Sequence, residues 1–286
     1  MTELYRPVFE IAGVTVGFDR EEPLFTEEHY LPFVTDEPAA WEITFHRVNV
    51  LPSLSSNDRR EELSYRFVTL PNGDEEREFF DSAHSGEVFA LGRYRWSRKR
   101  IELYWLAGAE KFVRESRSCF FYLALEKLLQ KEGRAILHAS CVETPSGAVL
   151  FCGPSGVGKS TQSELWVKNR ACRVINGDRT VLADVNGRWT AFGSPYAGSS
   201  RIWLNESCPV RAIVLLDKSE TNSVLRLSGV KAFRAVFSVM TANSRDRQSV
   251  VAAMDLTEKI VAKVPVFSLA CRADISAVEA LEKLLP

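Results

Sequence analysis

The segment Gly153-Pro154-Ser155-Gly156-Val157-Gly158-Lys159-Ser160 completes the pattern G-x-x-x-x-G-K-[ST], and that pattern dictates what must surround it. The apolar run Ala148-Val149-Leu150-Phe151-Cys152 before it reads as a buried strand, and Ser160 to Val167 after it reads as a helix. Strand, glycine-rich loop and helix come in the order that makes a phosphate cradle. The three glycines let successive backbone N–H groups approach phosphate oxygens, and the helix start adds its partial positive charge at the same spot. Residues 153–160, with Thr161 in the first helical turn, are therefore expected to bind a nucleoside triphosphate. Lys159 would reach the β and γ phosphates, and the Ser160 hydroxyl would be a ligand of Mg²⁺.

Charge and cysteine usage narrow the remaining classes. The 286 residues include 36 basic and 37 acidic ones, for a formal net charge of −1, so no global field argues for nucleic acid or an anionic membrane. The six cysteines, at 119, 141, 152, 172, 208 and 271, stand singly without metal-ligand spacing, as expected of free thiols in the cytoplasm. No segment approaches the ~18 consecutive apolar residues of a membrane span.

Two kinds of patterning divide the chain. Residues 1–110 alternate in short runs, such as Trp41 to Val48, and predict a β-rich module. Within it, Tyr65–Leu70 with Glu78–Phe80, and Val88–Leu91 with Arg100–Leu106, predict two hairpins. The basic, aromatic-interleaved run Arg93 to Arg100 reads as a solvated hairpin tip or as a contact for nucleic acid or an acidic peptide. Residues 111–133 take a helical period ended by Gly133 and are expected to join this module to a nucleotide-binding domain over 134–286. There, strands are expected at 135–143, 148–152, 172–175, 181–185, 188–192, 211–217, 224–227 and 264–271. Helices are expected at 230–241, 247–263 and 275–285. Asn186-Gly187 is a strong two-residue hairpin signal.

Candidate residues cluster around the loop. If the 144–147 turn pairs Glu143 with Ala148, His138 falls opposite Gly153, which places an imidazole beside the triphosphate; a purely structural histidine is the alternative. Asp178 lies just past the return strand that follows the helix, at phosphate level, where a carboxylate could hold Mg²⁺ or accept a proton. An ordinary Asn176-Gly177-Asp178 turn suits the same residues. Arg179 and Arg201 are the arginines best placed to meet phosphoryl charge, and Gly193 to Ser200 reads as a loop near the site.

Together, His138, the loop, Asn176-Gly177-Asp178 and Phe192-Gly193-Ser194-Pro195-Tyr196-Ala197-Gly198 resemble the HPr kinase/phosphorylase family from Ala135 onward. Its relatives include HPr-kinase-like serine kinases found with peptide-modification clusters and, more distantly, ATP-dependent phosphoenolpyruvate carboxykinases. The resemblance implies an α/β fold, a P-loop kinase domain of HPr-kinase type with a mixed sheet, preceded here by the β-rich module. It implies an active-site role for His138 and matches Lys159, Ser160 and Asp178 to the family's loop residues and the first of its paired aspartates. The second aspartate is Arg179 in this chain. No carboxylate occurs between Ala191 and Arg201, where the HPr kinase signature carries a Glu. Asp178 would serve alone unless Asp184 or Glu206 helps.

These readings lead to an ATP- and Mg²⁺-dependent serine kinase acting on a small protein or peptide. Asp178, His138, Lys159 and Arg201 are the expected catalytic residues, and Ser160 with Asp178 the metal ligands. The N-terminal module would recruit the substrate. Neither nucleic acid nor membrane is an expected partner, and assembly into a homo-oligomer is compatible with the resemblance. A nucleotide-binding regulatory module without transfer activity and a simple ATPase are the alternatives.

Overall fold

The computed structural model describes residues 7–19, 28–62, 64–81, 86–109, 121–196 and 198–286. It is a mixed α/β structure, dominated by strands, that divides into two compact units, Met1–Leu128 and Leu129–Pro286.

The first unit is a nine-stranded mixed sheet. Its strands are β1 (Val8–Ile11), β2 (Val14–Phe18), β3 (Val34–Thr35), β4 (Trp41–Val48), β5 (Arg60–Glu61), β6 (Tyr65–Thr69), β7 (Glu75–Phe80), β8 (Val88–Arg95) and β9 (Arg100–Leu106). They lie in the order β3-β1-β2-β4-β9-β8-β7-β6-β5, with β2–β4 and β4–β9 parallel and the other pairs antiparallel. Alternate residues supply the core: Trp41, Ile43 and Phe45 of β4 face inward, as do Ile101 and Leu103 of β9.

Both expected hairpins form, but β7 starts earlier than its apolar residues suggest, because its acidic and basic residues are buried in pairs. The Arg77 guanidinium bonds Glu75 and Glu126 and lies over the Tyr65 and Tyr94 rings, 4.8 and 5.1 Å from their centroids. Lys127 also bonds Glu75. Burial alone would raise the Glu75 carboxyl, but Arg77 and Lys127 outweigh it and hold it below its ordinary value. Glu76, equally buried, accepts from the Ser55 N–H at 2.7 Å and faces Arg93 and Arg95. This corrects the reading of residues 93–100. Tyr94 and Trp96 are buried and stacked on each other, so only Ser97 to Arg100 form a solvated tip and the aromatics do not interleave the surface charge.

Residues 110–120, and with them the start of the expected 111–133 helix, lie outside the described residues. The described part is α1 (Leu125–Lys131), which ends before Gly133 at φ 72°.

The second unit contains β10 (Ala135–Thr144), β11 (Gly147–Cys152), α2 (Lys159–Asn169), β12 (Arg173–Asn176), β13 (Arg179–Val185), β14 (Arg188–Phe192), β15 (Ser207–Lys218), β16 (Ser223–Leu227), α3 (Gly229–Ser238), α4 (Arg247–Val261), β17 (Val266–Cys271) and α5 (Ile275–Glu282). The strand order is β11-β10-β13-β14-β15-β17-β16, with β12 added to β10. The end of β15 nearest its start pairs with β14 and the remainder pairs with β11, which closes a ring of five strands. Only β11–β15 and β15–β17 are parallel. Ala148, Leu150 and Cys152 of β11 enter one apolar core with α3 and α4, while Val149 and Phe151 enter another with Trp166 of α2 and Leu281 of α5. Both faces of β11 are thus covered, which is why it reads as an unbroken apolar run.

The β10–β11 register is the expected one, from Thr144↔Gly147 through Glu143↔Ala148 to Ala139↔Cys152. The ladder stops one pair short of His138 and Gly153, because the chain turns into the phosphate loop at Gly153. On its other edge His138 pairs with Arg179. Asn186 and Gly187, at φ 52° and 86°, make the β13–β14 turn. Helix α3 ends at Ser238, short of the expected 241. Residues 239–241 instead pair with β10 through His138 N–H to Val239 O and Thr241 N–H to Ile136 O, each at 2.8 Å. Among the described residues, no helix is long and apolar enough to cross a membrane.

Arg77→Ala leaves Glu126 without its guanidinium and Glu75 with half its compensation. Breaking a buried pair in this way costs about 3–5 kcal/mol. Urea unfolding followed by tryptophan fluorescence is expected to show a loss of that size.

Candidate active site around the phosphate loop

The loop leaves β11 at Cys152 and enters α2 at Lys159, with Gly158 as the N-cap and no side chain capping the helix. The first-turn N–H groups are therefore open to an external acceptor. Gly153, Gly156 and Gly158 all have positive φ. Lys159 folds back over the loop, its Nζ donating to Gly153 O at 2.9 Å and Pro154 O at 3.2 Å. Burial pulls its ammonium below its ordinary pKa, and the Asp178 carboxylate works against that shift. Ser155, Ser160 and Thr161 are exposed on the rim. Helix α2 is tied to β10 by Ser140 Oγ and Ser163 Oγ at 2.7 Å, with Ser163 Oγ donating to Lys159 O at 3.0 Å.

Asp178 occupies the turn between β12 and β13, and one buried side chain shapes that turn. Asn176 Oδ1 accepts from the N–H of Asp178 at 2.9 Å and of Arg179 at 2.8 Å. Its Nδ2 donates to Ser194 O at 3.1 Å and Tyr196 O at 2.9 Å. The amide of Asn176 thus joins the turn to the loop that follows β14. That loop reaches the site itself: at Gly198, φ 56°, a Cβ would stand 2.9 Å from both Cβ and Cγ of Asp178.

The Asp178 carboxylate is paired on both oxygens. Oδ1 lies 3.0 Å from His138 Nε2 and Oδ2 lies 3.7 Å from Arg179 Nε. Burial would raise this carboxyl, but the hydrogen bond from His138 and the charges of Arg179 and Lys159 outweigh it and hold it below the usual carboxylate range. Arg179 in turn donates to Thr241 Oγ1 at 2.7 Å and lies over the Tyr196 ring, 5.7 Å from its centroid.

His138, Asp178 and Lys159 thus come together at the mouth of the loop. Arg201 does not join them: it is exposed at φ 53°, with no hydrogen bond or ion pair to these groups. Neither expected helper carboxylate reaches Asp178. Asp184 caps the β13–β14 turn and pairs with Lys263 at 2.9 Å, and Glu206 pairs with Arg173. Asn176, Gly198 and Thr241 are site residues that the sequence did not single out for these roles. The Asn-Gly-Asp spelling was the available signal for Asn176, since Asn commonly bonds the backbone two residues on.

Among the described residues, no group of three or more His, Cys, Asp or Glu is placed to hold a metal ion. Mg²⁺ commonly takes one or two protein oxygens and completes its shell with water and phosphate. Ser160 and Asp178 are oxygen donors of the required kind. Compared with models of protein families and with curated proteins, the chain matches none.

Two outcomes follow from this geometry. Asn176→Ala takes their acceptor from two N–H groups and a donor from the carbonyls of Ser194 and Tyr196, the latter keeping Ser194 Oγ at 3.4 Å, and is expected to cost about 3 kcal/mol in urea unfolding. The depressed Asp178 carboxyl contributes stability that is complete above its unfolded pKa of about 3.9 and is lost as pH falls through the lower folded value. Asp178→Asn should therefore narrow its stability gap to the parent below that pH, measured as melting temperature against pH.

Proposed function

We propose that the unit Leu129–Pro286 is a P-loop kinase domain of HPr-kinase type that transfers the γ-phosphoryl group of ATP to a serine hydroxyl of a small protein or peptide. The observation that carries this reading is the Asp178 carboxylate, hydrogen-bonded to His138 at 3.0 Å and kept ionised partly by the charge of Lys159 in the loop. A phosphoryl-transfer site needs such a carboxylate beside a phosphate cradle.

The roles follow from chemistry. The backbone N–H groups of residues 153–161 other than Pro154, and the Lys159 ammonium, hold the β and γ phosphates. Ser160 would hold Mg²⁺, with Asp178 either its second ligand or, in the step taken here, the base; the ion when bound supplies positive charge beside the β and γ oxygens. The acceptor hydroxyl gives its proton to Asp178 as its oxygen bonds to the γ-phosphorus, and the bond to the β-phosphate oxygen breaks to release ADP. His138 holds the carboxylate in position. Arg179 steadies Asp178, and Arg201, exposed and apart from these groups, is given no step. The N-terminal unit would recruit the acceptor, and the protein would work in the cytoplasm.

A second reading has its own observation. Arg179 stands where the family places a second aspartate, and its guanidinium occupies one side of Asp178. A nucleotide-responsive binding module that has lost transfer would look like this. Incubation with γ-labelled ATP and peptides from neighbouring genes separates the two. The kinase yields phosphoserine that disappears in Lys159→Ala and Asp178→Ala. ATP binding without transfer or hydrolysis indicates the module, and phosphate release without an acceptor indicates an ATPase. For the kinase, Asp178→Asn is expected to lower kcat about 10³-fold, the scale of general-base loss, with ATP affinity changed far less. Lys159→Ala is expected to lose ATP binding, as read by calorimetry.

A further inference from the structure

Arg179 has more hydrogen-bonding capacity than its protein contacts use. Its backbone is fixed at the start of β13, opposite His138, with its N–H bonded to Asn176 Oδ1 at 2.8 Å. Its side chain is fixed by three neighbours. Nη1 donates to Thr241 Oγ1 at 2.7 Å, Nε lies 3.7 Å from Asp178 Oδ2, and the guanidinium stands 5.7 Å from the Tyr196 ring centroid. Thr241 is itself held, its N–H donating to Ile136 O at 2.8 Å and its carbonyl accepting from Gln130 Nε2 at 3.5 Å. Nη2 has no partner among the described residues, and 31% of the side chain is exposed. A guanidinium anchored on one edge and open on another has already lost rotamer freedom that binding would otherwise cost.

The strand order bears on what can reach that open edge. Arg179 lies on β13, two strand spacings or roughly 10 Å from β11, which delivers the phosphate loop, with β10 between them. Its side-chain contacts are with Thr241, Asp178 and Tyr196 and none is with a loop residue. An acceptor whose hydroxyl gives its proton to Asp178 brings its neighbouring residues close to this edge, since each residue advances an extended chain by only roughly 3.5 Å. Of the groups a peptide carries, a carboxylate fits a guanidinium fork best. A carboxylate arriving beside Asp178 would also be repelled by it, and a fixed cation at that place offsets the repulsion.

We infer that Arg179 selects acceptors that carry a carboxylate one or two residues from the phosphorylated serine, as an acidic side chain or as the free carboxyl end of the chain. Nη2 donates to that carboxylate while Nε keeps its place beside Asp178. The inference rests on the proposed kinase reading. It gives the residue that stands in place of a second aspartate a part in choosing the substrate, with Thr241 and Tyr196 as the groups that hold it in position.

Transfer from γ-labelled ATP to paired synthetic serine peptides tests it on the full chain. One set of pairs differs only in Asp against Asn one or two residues from the serine, and another only in a free carboxyl end against an amide at the same distance. A carboxylate peptide is expected to show a KM about tenfold below that of its uncharged partner, the scale of one hydrogen bond to a charged group. The set in which the gap appears names the source of the carboxylate. Arg179→Gln should close the gap, Arg179→Lys, which keeps the charge without the fork, should leave part of it, and Thr241→Val, which frees one edge of the guanidinium, should narrow it. Comparison within a pair cancels any effect of a variant on the transfer step, and circular dichroism matching the parent's shows that each variant is folded. Equal KM within every pair in the parent, or a gap that persists in Arg179→Gln, overturns the selection and leaves the kinase reading standing. If no peptide gains phosphoserine, the kinase reading fails and the selection with it.

Discussion

The candidate site depends on the way β10 is paired on both of its edges. One edge carries β11, which delivers the phosphate loop; the other carries β12 and β13, which deliver Asp178. Because side chains alternate along a strand, a slip of one residue on the β13 edge would turn His138 away from Asp178, and one on the β11 edge would turn it away from the loop. Several bonds hold this arrangement. Ala139 N–H donates to Asp178 O at 2.9 Å, Thr180 Oγ1 donates to Ala139 O at 3.0 Å, and Val239 O accepts from His138 N–H. At the bulge between Cys141 and Val142 the β12 register shifts by one residue, while the pair Cys141 and Asn176 keeps the register that β13 continues.

Register brings the backbone to the site, but charge decides what state the side chains hold there. Lys159 and Asp178 act on each other in opposite senses to their burial: each would lose its charge more readily if the other were removed. For Asp178 the hydrogen bond from His138 and the charge of Arg179 count for more than Lys159. Arg179 adds a second cation on the far oxygen of Asp178 and is itself held by Thr241 and Tyr196. An aspartate in its place would put two carboxylates side by side, with one of them driven toward protonation unless a cation lay between them. Arg179 instead sets a cation beside the carboxylate.

Much of this arrangement was legible because it rests on local pattern. The 144–147 turn, the Asn186-Gly187 hairpin and the covered apolar run of β11 each follow from a few adjacent residues, and the structure has them at the expected positions. The reading failed where distant partners decide. Glu75, Glu76 and Arg77 look like surface residues until Glu126, Lys127 and Arg93 arrive from elsewhere in the unit to pair with them. Residues 239–241 have helical spacing, yet β10 offers their backbone a better set of partners. At the site, Asp178 was visible from chain length and spacing. Asn176 was not, because its importance lies in holding a loop 18 to 20 residues further on, which no local pattern encodes.

Gly198 shows how closely those levels are coupled. Asn176 draws residues 194–196 against the turn, and the chain then passes so near Asp178 that a single methyl group at 198 would stand 2.9 Å from its Cβ and Cγ. The positive φ there adds a backbone cost for any other L-residue. The turn, the loop and the carboxylate therefore cannot be adjusted one at a time. Moving Asp178 by even 1 Å means moving the loop over it, and placement errors of that size are what positional catalysis tolerates least. Gly198 thus lies directly against the Asp178 side chain.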